Sequence, residues 1–347
     1  METRIQSSVN GNMFFPIVRQ SENLAVTPVT TPKVVTIPQK EVRNLPFIEA
    51  NTKEVTLGHI KDDCIIPVFS KDNEVTISHQ SFIDSVLSAA QSVFPREEIS
   101  DPVIRVSHVV KGRIPEAIHK PVSQLLESDK TIYYERMMFC FEIPSIHQDI
   151  DGCRLNLTIG GVRAYNEQNL YSRKAPEKFR IFIGFKNMVC CNLCVSTDGY
   201  KASLRVMDPD SLLSSASDLF RSYDMNRHLT QMAAYRECRM TESQFAQFLG
   251  KCRLYQYLPL PERKKLPSLL MTDTQVGLVA KSYLDDPDFG KDGNNTISLW
   301  KVFNLLTGAN KSSYIDNFLD RAENASTLTS GLCMALYGDP EYSWFLS

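Results

Sequence analysis

Cys191 and Cys194 form a C-x-x-C pair with Cys190 beside it, a grouping of soft donors that suits a transition metal or thiol exchange. A structural zinc needs four ligands, and no second C-x-x-C or H-x-x-x-H follows at a workable distance, although Cys140 and Cys153 could complete a set in space. The competing reading is core packing, because cysteine is among the most buried residue types and these three sit in an apolar run. His147, Asp149 and Asp151 make a second cluster, one that could hold a divalent ion for a nuclease. The same stretch, SIHQDIDGC, also has the composition of a hairpin turn, where Asp and Gly serve backbone geometry. The acidic loop 285–295 fails the calcium-loop pattern, with Gly290 at the third position from Asp288 and Leu299 at the twelfth. No G-x-x-x-x-G-K-S/T, G-x-S-x-G or strand-linked G-x-G-x-x-G is present, which removes the commonest NTPase, hydrolase and dinucleotide readings.

Charge is the stronger signal. Residues 151–205 hold nine basic residues (Arg154, Arg163, Arg173, Lys174, Lys178, Arg180, Lys186, Lys201 and Arg205) against Asp151, Glu167, Glu177 and Asp198, a local +5 in a chain of net charge −2. Tyr165, Tyr171, Phe182 and Tyr200 are interleaved with them. Cations beside aromatic rings are what a single strand of nucleic acid requires for phosphate neutralisation and base stacking. The expectation is therefore a non-catalytic protein binding single-stranded nucleic acid. Arg163, Lys174, Lys178, Arg180 and Lys186 would face phosphates, and Tyr165, Tyr171 and Phe182 would face bases. The competing reading is a solvated sheet face whose cations pair with acids from elsewhere in the chain. A buried, ion-paired Arg180 would count against the first reading.

The elements that must carry these residues follow from periodicity. Phe179, Ile181, Ile183 and Phe185 recur at every second position, which predicts a strand with Arg180 and Phe182 on its other, exposed face. The following VCCNLCV predicts a second short segment, in which Asn192 needs a partner if buried. Strand composition recurs at CIIPVF (64–69), 103–110, 131–143 and 153–162. Ser78 reads as the N-cap of a helix that ends at Pro95, Asp208 and Pro209 open another, and Thr241 with Gln244 forms a capping box for a third. Three short helices then follow the surface linker PLPERKKLP. The fold class is α+β: a mixed, largely antiparallel sheet core with packed helices and a helical C-terminal part. The divisions expected are a Pro/Thr-rich extended arm at 1–44, an α+β core at 45–258 and C-terminal helices at 259–347 docked on that core.

Hydrophobic residues make up 43% of the 347 and charged residues 22%, which are globular values. No apolar run is long enough to span a bilayer. Nine scattered cysteines without a hydrophobic leader predict free thiols in a cytoplasmic protein, with no cofactor.

The segments PFIEANTKEVTL, CIIPVFSKDNEVTISHQSFIDSV, FRIFIGFKNMVCCNLCVSTDG and LWKVFNLLTGANKSSYIDNFLDR, spread over 45–347, resemble a bacterial domain-of-unknown-function family carried on mobile elements. Its wider relatives are phage- and plasmid-like proteins that share a V-C-x-N segment and a late helix with tryptophan, asparagine and threonine, here Val189–Asn192 and Trp300, Asn304 and Thr307. The resemblance implies no established activity. Mobile-element context favours nucleic-acid transactions such as annealing, and Asn192, Asn304 and Thr307 are its candidate polar residues. The rival expectation is a protein-interaction module that contacts a host or element-encoded partner through the arm and an apolar surface over Leu299–Leu306.

Overall fold

The computed structural model describes residues 39–64, 77–167 and 176–347. Residues 1–38, most of the expected CIIPVF strand, and Tyr171, Arg173 and Lys174 lie outside the described residues. Along the chain come β1 (Lys53–Val55), α1 (Leu57–Asp62), α2 (His79–Val93), β2 (Val103–Arg113), β3 (Lys130–Ile150), β4 (Cys153–Ala164), β5 (Glu177–Asn187), β6 (Leu193–Cys194) and β7 (Tyr200–Val206). The helical part follows as α3 (Pro209–Ser222), α4 (Met225–Glu237), β8 (Arg239–Thr241), α5 (Glu242–Tyr257), α6 (Leu260–Arg263), α7 (Asp273–Asp285), β9 (Thr296–Ser298), α8 (Leu299–Asn310) and α9 (Ile315–Leu336).

The sheet runs β1-β2-β3-β4-β5-β6, with β7 also pairing on β5, and every strand pair is antiparallel. β3 and β4 meet at Asp151 (φ 51°) and Gly152 (φ 74°), between paired Ile150 and Cys153. Two successive left-handed residues are what a tight hairpin turn demands, so the turn reading of SIHQDIDGC holds. The fold is α+β, with helices packed on both faces of the sheet.

One face is the expected one. Phe179, Ile181, Ile183 and Phe185 lie in the main core, where the Phe82 ring of α2 meets Phe139 at 5.2 Å and Phe179 at 4.7 Å. Gly161 makes that approach possible, since a Cβ there would collide with the Phe82 ring. The other face is not exposed, which corrects the expectation for Arg180 and Phe182. Phe182 is buried in a second cluster with Phe47, Ile48, Ile315, Phe318, Leu319 and Ala322. The cover comes from α9, which runs 22 residues and is not the short helix expected. Its first turns close the second cluster, and Ala325, Leu328 and Leu332 join the main core.

The caps appear where the sequence places them. Ser78 Oγ accepts from the Ser81 amide at 2.9 Å, Asp208 caps α3, and Thr241 with Gln244 forms the box on α5. Cys238 and Cys333 are bonded as a disulfide that ties the end of α4 to α9, which corrects the expectation that all nine thiols are free. The other seven are free. Among the described residues no helix is long and apolar enough to cross a membrane.

Candidate functional site

β4 and β5 are central strands covered on both sides, and this decides the fate of the basic stretch. Arg163 has a side chain 0% exposed, donating to the Ile77 carbonyl and the Glu177 carboxylate, with the rings of Tyr165 and Phe179 at 4.4 and 4.6 Å from its guanidinium carbon. Arg180 is 8% exposed and donates to Glu167 at 2.9 Å, with Asp320 of α9 at 3.8 Å. Lys186 is buried and donates to Glu142 at 2.8 Å. Lys178 pairs with Glu167 at 2.6 Å. Tyr165 is buried with its ring 4.7 Å from His79. The acids that neutralise the stretch come partly from outside it, as the competing reading requires. Arg163, Tyr165, Arg180, Phe182 and Lys186 are therefore interior residues and offer nothing to a phosphate or a base. Lys174 and Tyr171 lie outside the described residues.

The polar residues of the family segments do converge. Asn192 Nδ2 donates to the Asn304 carbonyl at 2.9 Å and to Thr307 Oγ1 at 3.1 Å, and Asn187 Nδ2 donates to Asn304 Oδ1 at 2.8 Å. Lys311 Nζ donates to the Cys190 carbonyl at 2.5 Å. The β5–β6 turn that makes these contacts is tight: Cys191 has φ 58° and its amide donates to the Asn187 carbonyl at 2.6 Å. Asn187, Asn192, Asn304 and Thr307 are all buried. They form a clasp that locks α8 against the sheet, not an open site. Asn304→Ala should cost about 1–3 kcal/mol by stranding the Asn187 amide in the interior, read as a lower urea midpoint. An unchanged midpoint would mean the amide finds another partner.

The cysteines of the same turn are spoken for. Cys191 Sγ donates to the Arg43 carbonyl at 3.1 Å, and Cys190 Sγ approaches Asn304 Oδ1 at 3.6 Å. Burial pushes the Cys190 thiol up to about 12 and the Cys194 thiol well above its ordinary range, which opposes the thiolate that metal binding needs. Among the described residues no three His, Cys, Asp or Glu side chains are grouped to hold a metal. His147 Nδ1 lies 2.9 Å from the Pro144 carbonyl, while Asp149 accepts from Gln39 at 3.1 Å, so neither is poised on a shared ion.

Two arrangements escape sequence reasoning. The first is a cavity of about 60 Å³ lined by Ile60, Lys61, Cys64, Ser78, His79, Gln80 and Tyr133. It can hold a few waters but not a drug-sized molecule, whose sites run to ~300 Å³ and more. His79 Nε2 donates to the Tyr134 carbonyl at 2.8 Å, and Nδ1 has no hydrogen-bond partner among the described residues. Beside it, Asp63, His59 and Tyr134 form a chain of hydrogen bonds of 2.7 and 2.8 Å. That chain could pass a proton, but it ends on a phenol buried in the main core.

The second is an arm. β4 ends at Ala164 opposite Arg136, yet β3 and β2 stay paired as far as Lys130 and Arg113, with Cys64 bridged in parallel to Ile132 and with Thr131, Tyr133 and Tyr134 buried. The tip is built rather than loose: Arg113 donates to the Lys120 carbonyl at 2.6 Å, Lys120 pairs with Asp129 at 2.8 Å, and the Ile114 amide donates to the Asp129 carbonyl at 3.0 Å. Val109, Ile118, Val122 and Leu126 stand exposed on it, Val122 at 76%. The sequence signal is Ile118, Val122 and Leu126 at four-residue spacing between the strands expected at 103–110 and 131–143. The alternative contact surface over Leu299–Leu306 is corrected, because Leu299, Trp300, Val302, Phe303, Leu305 and Leu306 are all buried under neighbouring helices.

No curated protein and no solved structure matches the chain. A family model does, over residues 24–346, and the protein belongs to the family described as "Domain of unknown function, B. Theta Gene description (DUF3871)".

Proposed function

We propose that the protein is a non-catalytic interaction module of the cytoplasm that engages another protein through the β2–β3 arm. The observation that carries this reading is the braced end of the β2–β3 arm, beyond β4, with Val109, Ile118, Val122 and Leu126 uncovered among the described residues. Exposed apolar side chains on an internally braced tip lower the free energy only when something covers them. In a mobile-element setting the partner would be a host or element-encoded protein. Substituting Ile118, Val122 and Leu126 together by serine should leave the melting temperature unchanged, since all three are exposed, and abolish recovery of the partner in quantitative affinity capture. Equal recovery by the wild type and the triple variant would overturn the reading.

A second reading, binding of single-stranded nucleic acid, is favoured by one surface and not by the basic strands. At the end of α5 and around α6, Tyr257 stands 78% exposed, with Lys264 and Lys265 exposed on the following turn. A ring for stacking and two free-standing cations meet the minimum for a single strand. Salt-steep binding of labelled single-stranded DNA, lost in Lys264→Glu/Lys265→Glu and kept in the arm variant, would place the function there.

A further inference from the structure

Among the described residues, the outer edge of β2 has no strand partner where the arm begins. β1 pairs only with Ile104–Val106, and Thr52, just before it, takes the Arg105 side chain. From His108 to Arg113 no strand pairs with the outer edge of β2 among the described residues, while its inner edge pairs with β3 from Val109 on. At ~3.3 Å per residue this leaves a stretch of about 20 Å whose alternate amides and carbonyls point outward. His108, φ 58°, is skipped in the β2–β3 ladder without a shift of register, and it sets this stretch apart from the part that β1 covers.

Side chains on the open stretch say what could join it. Val109, Lys111 and Arg113 share one face, and Val110 sits on the other. Lys120 is paired with Asp129 and Lys130 with Glu127, so the charge of the edge itself is that of Lys111 and Arg113. A second copy of β2 added antiparallel would bring those cations together across the new ladder, where like charges destabilise. Self-pairing is therefore opposed. An incoming strand with carboxylates opposite Lys111 and Arg113 and an apolar residue opposite Val109 meets complementary groups at every position on that face.

We infer that the outer edge of β2, His108–Arg113, accepts an extended acidic segment of a partner protein as an added β-strand. Backbone hydrogen bonds along the open edge hold it, Lys111 and Arg113 select its carboxylates, and Val109 covers its apolar residue. The inference rests on the arm being the contact surface, and it names the mode of contact and the chemistry of the partner.

The test uses the full chain and two labelled synthetic peptides, one alternating valine and glutamate and the other valine and lysine. Fluorescence anisotropy should show the glutamate peptide binding at least tenfold more tightly. Hydrogen exchange should show new protection at 109–112 in its presence. Lys111→Glu, a change at an exposed position that leaves the edge with no net charge, should remove the preference between the two peptides. Equal affinity for both peptides, an unchanged preference in Lys111→Glu, or absence of protection at 109–112 would each overturn strand addition. Protection confined to 114–129 would overturn it too, while leaving the arm as the contact surface. The triple-serine capture experiment reads that broader proposal separately, because it changes the tip and leaves the edge intact.

Discussion

Replacing Arg163 with methionine is expected to lower the free energy of unfolding by about 3–5 kcal/mol, the usual cost of breaking a buried ion pair from one side. The guanidinium bridges three pieces of chain. It donates to the Ile77 carbonyl just ahead of α2 and to the Glu177 carboxylate at the start of β5, while its own backbone lies in β4. Glu177 in turn accepts from the Ile77 amide at 2.9 Å, so the ion pair also fixes where α2 begins. Methionine fills much of the volume but leaves the Glu177 carboxylate without its cation. Adding Glu177→Gln to the variant should therefore restore part of the loss, and Arg163→Lys should fall between wild type and Arg163→Met because it keeps charge and loses the planar fork. Urea unfolding of the four proteins measures all of this. A loss below about 1 kcal/mol would place the pair among solvent-screened surface bridges and contradict its burial.

β5 and its Arg180 show what periodicity conveys and what it omits. Alternation in FRIFIGF identifies a strand and its core face, and that face lies in the main core. The reverse face was assigned to solvent because Arg180 and the cations around it are polar. Alternation reports which residues are apolar, not how many layers a sheet has. An arginine with a carboxylate partner is as compatible with an interior as with water, and the partners Glu142 and Asp320 lie far away in sequence. α9 supplies the missing layer, and nothing local to β5 announces it.

Helix boundaries were legible for a contrasting reason. Ser78, Asp208 and Thr241 act within three residues of themselves, so their spacing is the interaction. α4 is not evident from periodicity because its buried stripe, His228, Met232 and Tyr235, holds only two apolar residues and begins on a histidine. The convergence of Asn187, Asn192, Asn304 and Thr307 needed the tertiary structure, since more than a hundred positions separate the turn from α8. The arm was hidden in plain composition. Lys111, Arg113, His119 and Lys120 make the segment polar in composition, and the exposure of Val109, Ile118, Val122 and Leu126 among them is visible only in the tertiary structure.

Acidification from pH 7 to pH 5 is expected to remove about 4 kcal/mol of stability, about 2 from each of two buried histidines. Burial, with the Arg163 cation nearby, pushes His79 down to about 3, and burial pushes His228 down to about 4. In the unfolded chain each imidazole takes up a proton below its ordinary pKa near 6.5. In the folded chain both rings stay neutral well below that pH, so the unfolded state binds more protons throughout the interval. Stability is thus complete above pH 6.5, falls as the pH drops, and stops falling on this account once the folded rings themselves protonate near pH 4 for His228 and pH 3 for His79. Carboxylates held low by cations, such as Glu167 between Lys178 and Arg180, add their own losses only at lower pH, which makes pH 5 the clean comparison. Glutamine is the informative replacement at both sites. At position 79 its amide can still donate to the Tyr134 carbonyl, and at position 228 its oxygen can still accept from Tyr223, whose hydroxyl lies 2.7 Å from His228 Nδ1. Urea midpoints at pH 7, 6 and 5 should show His79→Gln and His228→Gln each removing about half of the decline, and the double variant nearly all of it. A double variant that loses stability as steeply as wild type would assign the acid sensitivity to other groups and would mean that these rings take up protons without unfolding.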